Sequence, residues 1–246
     1  MYREHSPGAA LARWVECCWT FESAVALDHA VRPDGCLDVV YSPELGLRAV
    51  GAMTREQRHP QHAGSAVVGV RFRPGLARQF LKTRPAELTG RLAPLEQLWG
   101  RRGRELESRL SSSPTVLERA QLLLSALPVP GDAFDALGRA MEAITATHGA
   151  LGLDWAAAQA GMSPRQFRRR CLEESGLTPK RLCRILRFRR SLELAETRRL
   201  SWAAIAAEAG YFDQAHLIRD FREFTGRAPM AVFSNTQAAG AGENWA

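Results

Sequence analysis

The feature that most constrains this chain is an internal repeat: the stretch from Leu153 to Pro179 is echoed by Trp202 to Pro229. Ala157 and Gly161 correspond to Ala206 and Gly210 at one spacing. Phe167, Arg169, Gly176 and Pro179 correspond to Leu217, Arg219, Gly226 and Pro229 at a spacing one residue longer, so the difference falls in the turn. Each copy has a small alanine where two helices can cross closely, then a glycine where the first helix must end in the left-handed region. A helix start follows: Ser163 with Pro164 at the first helical position in one copy, Asp213 in the other. Short apolar helix, glycine turn and capped polar helix make up the order of a helix-turn-helix unit. One copy would fit any helical hairpin; two copies with matched turns, and an arginine at the same place in each second helix, point to a pair of readers.

Between the copies, Pro179 to Thr197 forms an unbroken helical pattern, with Leu182, Ile185, Leu186, Leu192 and Ala195 apolar and basic residues between them. A helix of about 19 residues is ~28 Å long. That is close to the ~34 Å between successive major-groove faces of B-DNA, so both units can address one side of a duplex. The net charge of +7 decides little by itself. Its distribution is more telling, because from Arg165 to Arg190 there are ten Lys or Arg against only Glu173 and Glu174.

The second copy reads Ile205-Ala-Ala-Glu-Ala-Gly-Tyr-Phe-Asp-Gln-Ala-His-Leu-Ile-Arg-Asp-Phe-Arg-Glu-Phe-Thr-Gly-Arg-Ala-Pro229. On these residues, the segment from about 135 to 235 resembles the DNA-binding domain of the AraC/XylS family of bacterial regulators. The first copy departs from that pattern at Arg170, Cys171 and Ser175, where the family usually has apolar residues, and Ala228 stands where Ser or Thr is usual. The resemblance implies base contact at Arg165, Arg168, Arg169, Gln214, Ile218 and Arg219, and His216 lies among the corresponding positions of the second reading helix. Lys180, Arg181 and Arg184 are read as phosphate contacts, which add affinity without sequence information. The expected partners are double-stranded DNA at two adjacent major-groove segments, RNA polymerase where the protein activates, and a small-molecule effector, with a homodimer left open.

Pro128, Pro130 and Gly131 end a helical pattern and place a boundary there. Residues 1–130 then form a sensory or dimerisation domain of α+β class, rich in strands at its start and helical at its end. Residues 131–235 form an all-α domain of two helix-turn-helix units joined by a long helix, and 236–246 a disordered tail. In the first domain, Cys36–Tyr41 and Ala66–Phe72 are β-branched or aromatic runs bounded by Pro33-Asp-Gly35 and Pro74-Gly75. From Leu76 to Leu127 the pattern is helical, broken by Pro85, Pro94 and Pro114. Val31-Arg-Pro-Asp-Gly-Cys36 and Gly69-Val-Arg-Phe-Arg-Pro-Gly75 look like a less familiar amino-terminal domain found ahead of such readers, and Trp14, Trp19, Phe21, Tyr41 and Phe72 are its candidate effector contacts.

Five cysteines without C-x-x-C spacing fit reduced thiols. The alternative is a thiol- or metal-responsive DNA binder that uses Cys17, Cys18 or Cys36. His59 and His62 read as part of a solvated loop rather than a metal pair, and no metal or other cofactor is expected. The chain has no G-x-S-x-G, H-E-x-x-H, P-loop or G-x-G-x-x-G, and an enzyme is not the expected reading. A polar start and the lack of any long uncharged apolar run point to a cytoplasmic protein with no membrane partner.

Overall fold

The computed structural model describes residues 1–131, 135–197 and 199–234; the expected tail at 236–246 lies outside them. The amino-terminal part holds eight strands: β1 (Tyr2–His5), β2 (Val15–Glu22), β3 (Leu27–Val31), β4 (Leu37–Ser42), β5 (Gly46–Val50), β6 (Gln57–Gln61), β7 (Ala66–Phe72) and β8 (Leu92–Pro94). Helices α1 (Arg78–Leu81), α2 (Leu95–Trp99), α3 (Arg101–Ser112) and α4 (Val116–Ser125) complete it, with a short 3-10 turn at Pro85–Glu87. After the break come α5 (Ala136–Ala146), α6 (Leu153–Gln159), α7 (Pro164–Ser175), α8 (Pro179–Glu196), α9 (Trp202–Glu208), α10 (Gln214–Thr225) and α11 (Pro229–Ser234). The α+β start and all-α end are those expected from the sequence.

Six strands form one antiparallel sheet in the order β1-β2-β7-β4-β5-β8, and β3 pairs with β6 in a separate ribbon. Because side chains alternate along a strand, the sheet has two distinct faces. Val39, Tyr41, Val68, Val70 and Phe72 belong to the main apolar core, where α4 packs on β7 and β2. Asp38, Val40, Val67 and Arg71, at the intervening positions, line a cavity opposite the ribbon residues His29 and His59. This alternation corrects the expected effector cluster. Trp14, Tyr41 and Phe72 are buried in the core, while Trp19 and Phe21 line the cavity. His59 is also not in a loop: it sits in β6, opposite His29 of β3.

The two parts of the chain share one continuous apolar core among the described residues, and polar contacts join them. Glu16 of β2 forms an ion pair with Arg189 of α8, one of whose contacts is 3.2 Å. Glu56 donates its backbone N–H to the Phe224 carbonyl and accepts from Arg227 at 2.7 Å, while Arg181 donates to the Thr54 carbonyl at 2.7 Å. Thr89 donates to the Gly176 carbonyl at 2.8 Å, and Arg78 pairs with Glu174. Gly176 has φ +75°, and a Cβ there would stand 2.5 Å from Thr89 Oγ1. Left-handed backbone and close approach both call for glycine at this helix end.

Candidate nucleic-acid interface and adjoining cavity

The two units close their turns with the same hydrogen bonds. Met162 donates its N–H to the Ala157 carbonyl at 2.9 Å, and Tyr211 to the Ala206 carbonyl at 2.8 Å. Both alanines are buried, and Gly161 and Gly210 take φ +64° and +79°. Ser163 and Gln166 form a reciprocal capping box on α7, and Asp213 accepts the His216 N–H at 2.6 Å on α10. The additional residue of the second turn is Phe212, between Tyr211 and the cap. It is 92% exposed at the leading end of α10, an apolar tip that pattern reading of the sequence passed over.

On α7, Phe167 is buried while Arg165, Arg168 and Arg169 are exposed. Arg169 makes only a loose pair with Glu173, at 4.0 Å. On α10, Leu217 and Phe221 are buried, Gln214 and Arg219 are exposed, and His216 and Ile218 are half-buried. The His216 ring packs edge-on against Tyr211, with centroids 5.1 Å apart. The second helix of each unit therefore offers its leading half to solvent, whereas its trailing end is held by the amino-terminal part through the Thr89 and Glu56 contacts.

The three expected phosphate contacts divide. Lys180 is exposed at the start of α8. Arg181 and Arg184 are instead committed within the protein: both pair with Glu223, Arg184 also bonds Asp220 at 2.6 Å, and their guanidinium groups lie 4.7 and 5.4 Å from the Phe224 ring centroid. Asp220 is buried, and removing its arginine would strand a charge. Their place is in the packing of α8 against α10, which corrects the phosphate reading for these two.

The unusual residues of the first unit are accommodated. Ser175, fully buried, donates to the Cys171 carbonyl at 2.7 Å and accepts the Leu177 N–H at 3.1 Å, so its hydroxyl closes the end of α7. Arg170 reaches Asp135 and Glu174 at 3.6 and 3.7 Å. All five cysteines are buried. Burial pushes the Cys18 and Cys171 thiols up to about 12, and burial together with the nearby Asp34 and Glu16 charges raises Cys36 well above its ordinary value. A reactive thiol needs the opposite shift. Among the described residues no group of His, Cys, Asp or Glu is arranged to hold a metal, and no helix is long and apolar enough to cross a membrane.

Comparison with known families matches residues 156–235 to a helix-turn-helix domain and residues 3–94 to a domain of unknown function, DUF6597. Among solved structures, the chain is similar to the DNA-binding domain of AdpA, a global transcriptional factor, in complex with a target DNA. That similarity has 26% identity, covers 43% of this chain and 96% of the other, and has a TM-score of 0.40. It is also similar to a DNA-binding transcriptional dual regulator from Escherichia coli K-12 (21% identity, 44% and 98% covered, TM-score 0.37). Over more of its length it is similar to ToxT from Vibrio cholerae O395 (11% identity, 87% and 95% covered, TM-score 0.42). No curated protein matches the chain.

Proposed function

We propose, from the premise that the carboxy-terminal domain is an AraC-type helix-turn-helix domain, that the protein is a sequence-specific transcription regulator governed by a small molecule held in its amino-terminal part. The observation that carries the DNA-binding reading is the matched pair of capped helices, α7 and α10, with exposed leading halves on either side of α8. Arg165, Arg168 and Arg169 on one helix, with Gln214, His216, Ile218 and Arg219 on the other, are the proposed base readers. Phe212 adds an apolar side chain at the tip of the second, suited to a thymine methyl group. Lys180 is the proposed phosphate contact. The protein would act in the cytoplasm, with RNA polymerase as its partner where it activates.

The effector reading rests on the cavity, whose wall includes Arg189 and Leu192 of α8 as well as sheet and ribbon residues. A ligand there would touch the helix that spaces the two readers. Selection of bound duplexes from a random pool, with the full chain as bait, tests the DNA reading. The expected result is an enriched site of two segments about one helical turn apart; recovery of unenriched sequence would reduce the protein to a non-specific binder.

A further inference from the structure

The cavity between the six-stranded sheet, the β3–β6 ribbon and α8 has a volume of about 400 Å³, a size that holds a small ligand. Aromatic rings gather on its wall. Tyr2 and Trp19 have ring centroids 5.9 Å apart, and Phe21 and His29 are 4.9 Å apart. The Trp19 indole lies against the β7 backbone because residue 69 is glycine: a Cβ there would fall 2.3 Å from Trp19 Cε2. Such faces attract cations through their negative quadrupole.

The charges on the wall point the same way. Every arginine that lines the cavity is already engaged by carboxylates. Arg32 meets Glu56 at 3.2 Å, and Arg189 pairs with Glu16. Arg71 is approached by Asp34 at 3.2 Å, Asp38 at 3.5 Å and Glu4 at 4.0 Å. Three carboxylates around one guanidinium leave a local surplus of negative charge. Asp38 accepts a hydrogen bond at Oδ2 from the Trp19 indole N–H at 3.2 Å, while its buried Oδ1 faces Arg71 Nε at 3.5 Å as an ion pair without a hydrogen bond. Burial drives this carboxyl up to about 7 in spite of Arg71. Burial also holds His29 down at about 4, so the imidazole across the cavity is neutral and cannot supply the missing cation.

We propose that this cavity binds an apolar ligand carrying an ammonium group, with Asp38 as its counter-ion and the Trp19 and Tyr2 rings as its cradle. A carboxylate ligand would face Asp38 with the guanidinium groups already taken. A wholly apolar one would leave the carboxylates gathered on Arg71 without a further counter-charge. The proposal deepens the sensor reading above and is tested apart from it. Binding measured without DNA addresses the ligand class, whereas a ligand-dependent change in DNA affinity addresses the sensor.

Three probes of one skeleton make the test: 3-phenylpropylamine, 3-phenyl-1-propanol and 3-phenylpropanoate, titrated calorimetrically into the full chain at about pH 8, where the amine is charged and Asp38 ionised. The amine should bind at least about ten-fold more tightly than either other probe. Asp38→Asn keeps the size and can still accept from Trp19, but should abolish that preference. Trp19→Leu leaves the carboxylate in place and should weaken amine binding by about ten-fold. Tighter or equal binding of phenylpropanoate, amine binding untouched by both variants, or no binding of any probe at millimolar concentration would each overturn the proposal.

Discussion

At the scale of single residues, the proposed DNA surface rests on which cations remain available. Arg219 and Lys180 are both exposed, yet their settings predict effects that differ in kind. Arg219 lies on the leading half of α10, where a guanidinium can fork onto guanine O6 and N7, so Arg219→Ala should cost ~1 to 3 kcal/mol on a selected site and relax preference at one position. Lys180 stands at the start of α8, and Lys180→Ala should weaken selected and random duplexes alike while lowering the salt slope by about 1. Binding isotherms at several salt concentrations separate the two outcomes. A uniform loss with Arg219→Ala would make that residue a phosphate clamp. Arg181 and Arg184, which the basic run placed in the same group as Lys180, are taken up by Glu223 and Asp220. A count of charge along a sequence does not register acidic partners that fold back from another helix.

At the scale of elements, the paired units were legible because their signals are local: Ser163 and Asp213 as caps, Gly161 and Gly210 as turn ends, and buried Phe167 and Leu217 at helical spacing. β4 and β7 were legible as β-branched runs. The ribbon was less so, since Gln57-Arg-His-Pro-Gln61 has no apolar alternation and becomes a strand only by pairing with β3. β8, Leu92–Pro94, owes its strand state to β5 in the same way. Sequence showed aromatic residues but not their faces, so core and cavity aromatics were grouped together. α8 is the element with the clearest functional consequence. Its 18 residues make a rod of ~27 Å, and its buried Ile185, Phe188 and Leu192 tie it to the packing on either side. Inserting about five base pairs between the two selected segments turns one of them to the far side of the duplex. The expected result is loss of the monomer's affinity in a gel-shift titration; retained affinity would mean that one unit alone reads bases.

At the scale of the whole molecule, the Glu16–Arg189 pair links β2 to the helix between the two helix-turn-helix units, and both side chains are 19% exposed. Burial pushes the Glu16 carboxyl up, but the hydrogen bond and charge of Arg189 more than offset this and hold it at about 2, against an ordinary 4.5. A carboxyl depressed in the folded state contributes stability that is complete above its unfolded value and lost as pH falls through the folded one. The pair should therefore support the contact of β2 with α8 at neutral pH and fail from about pH 4.5 downward toward 2. A shift of this size corresponds to a contribution on the order of 3 kcal/mol. Denaturant unfolding of the wild-type chain and of Glu16→Gln should differ by about that amount at neutral pH, and the gap should narrow steadily once acid begins to protonate Glu16. Parallel stability curves across the acid range would show that Arg189 does not set the Glu16 proton affinity. A gap that closes as expected would tie the contact between sheet and linker helix to the ionisation of Glu16.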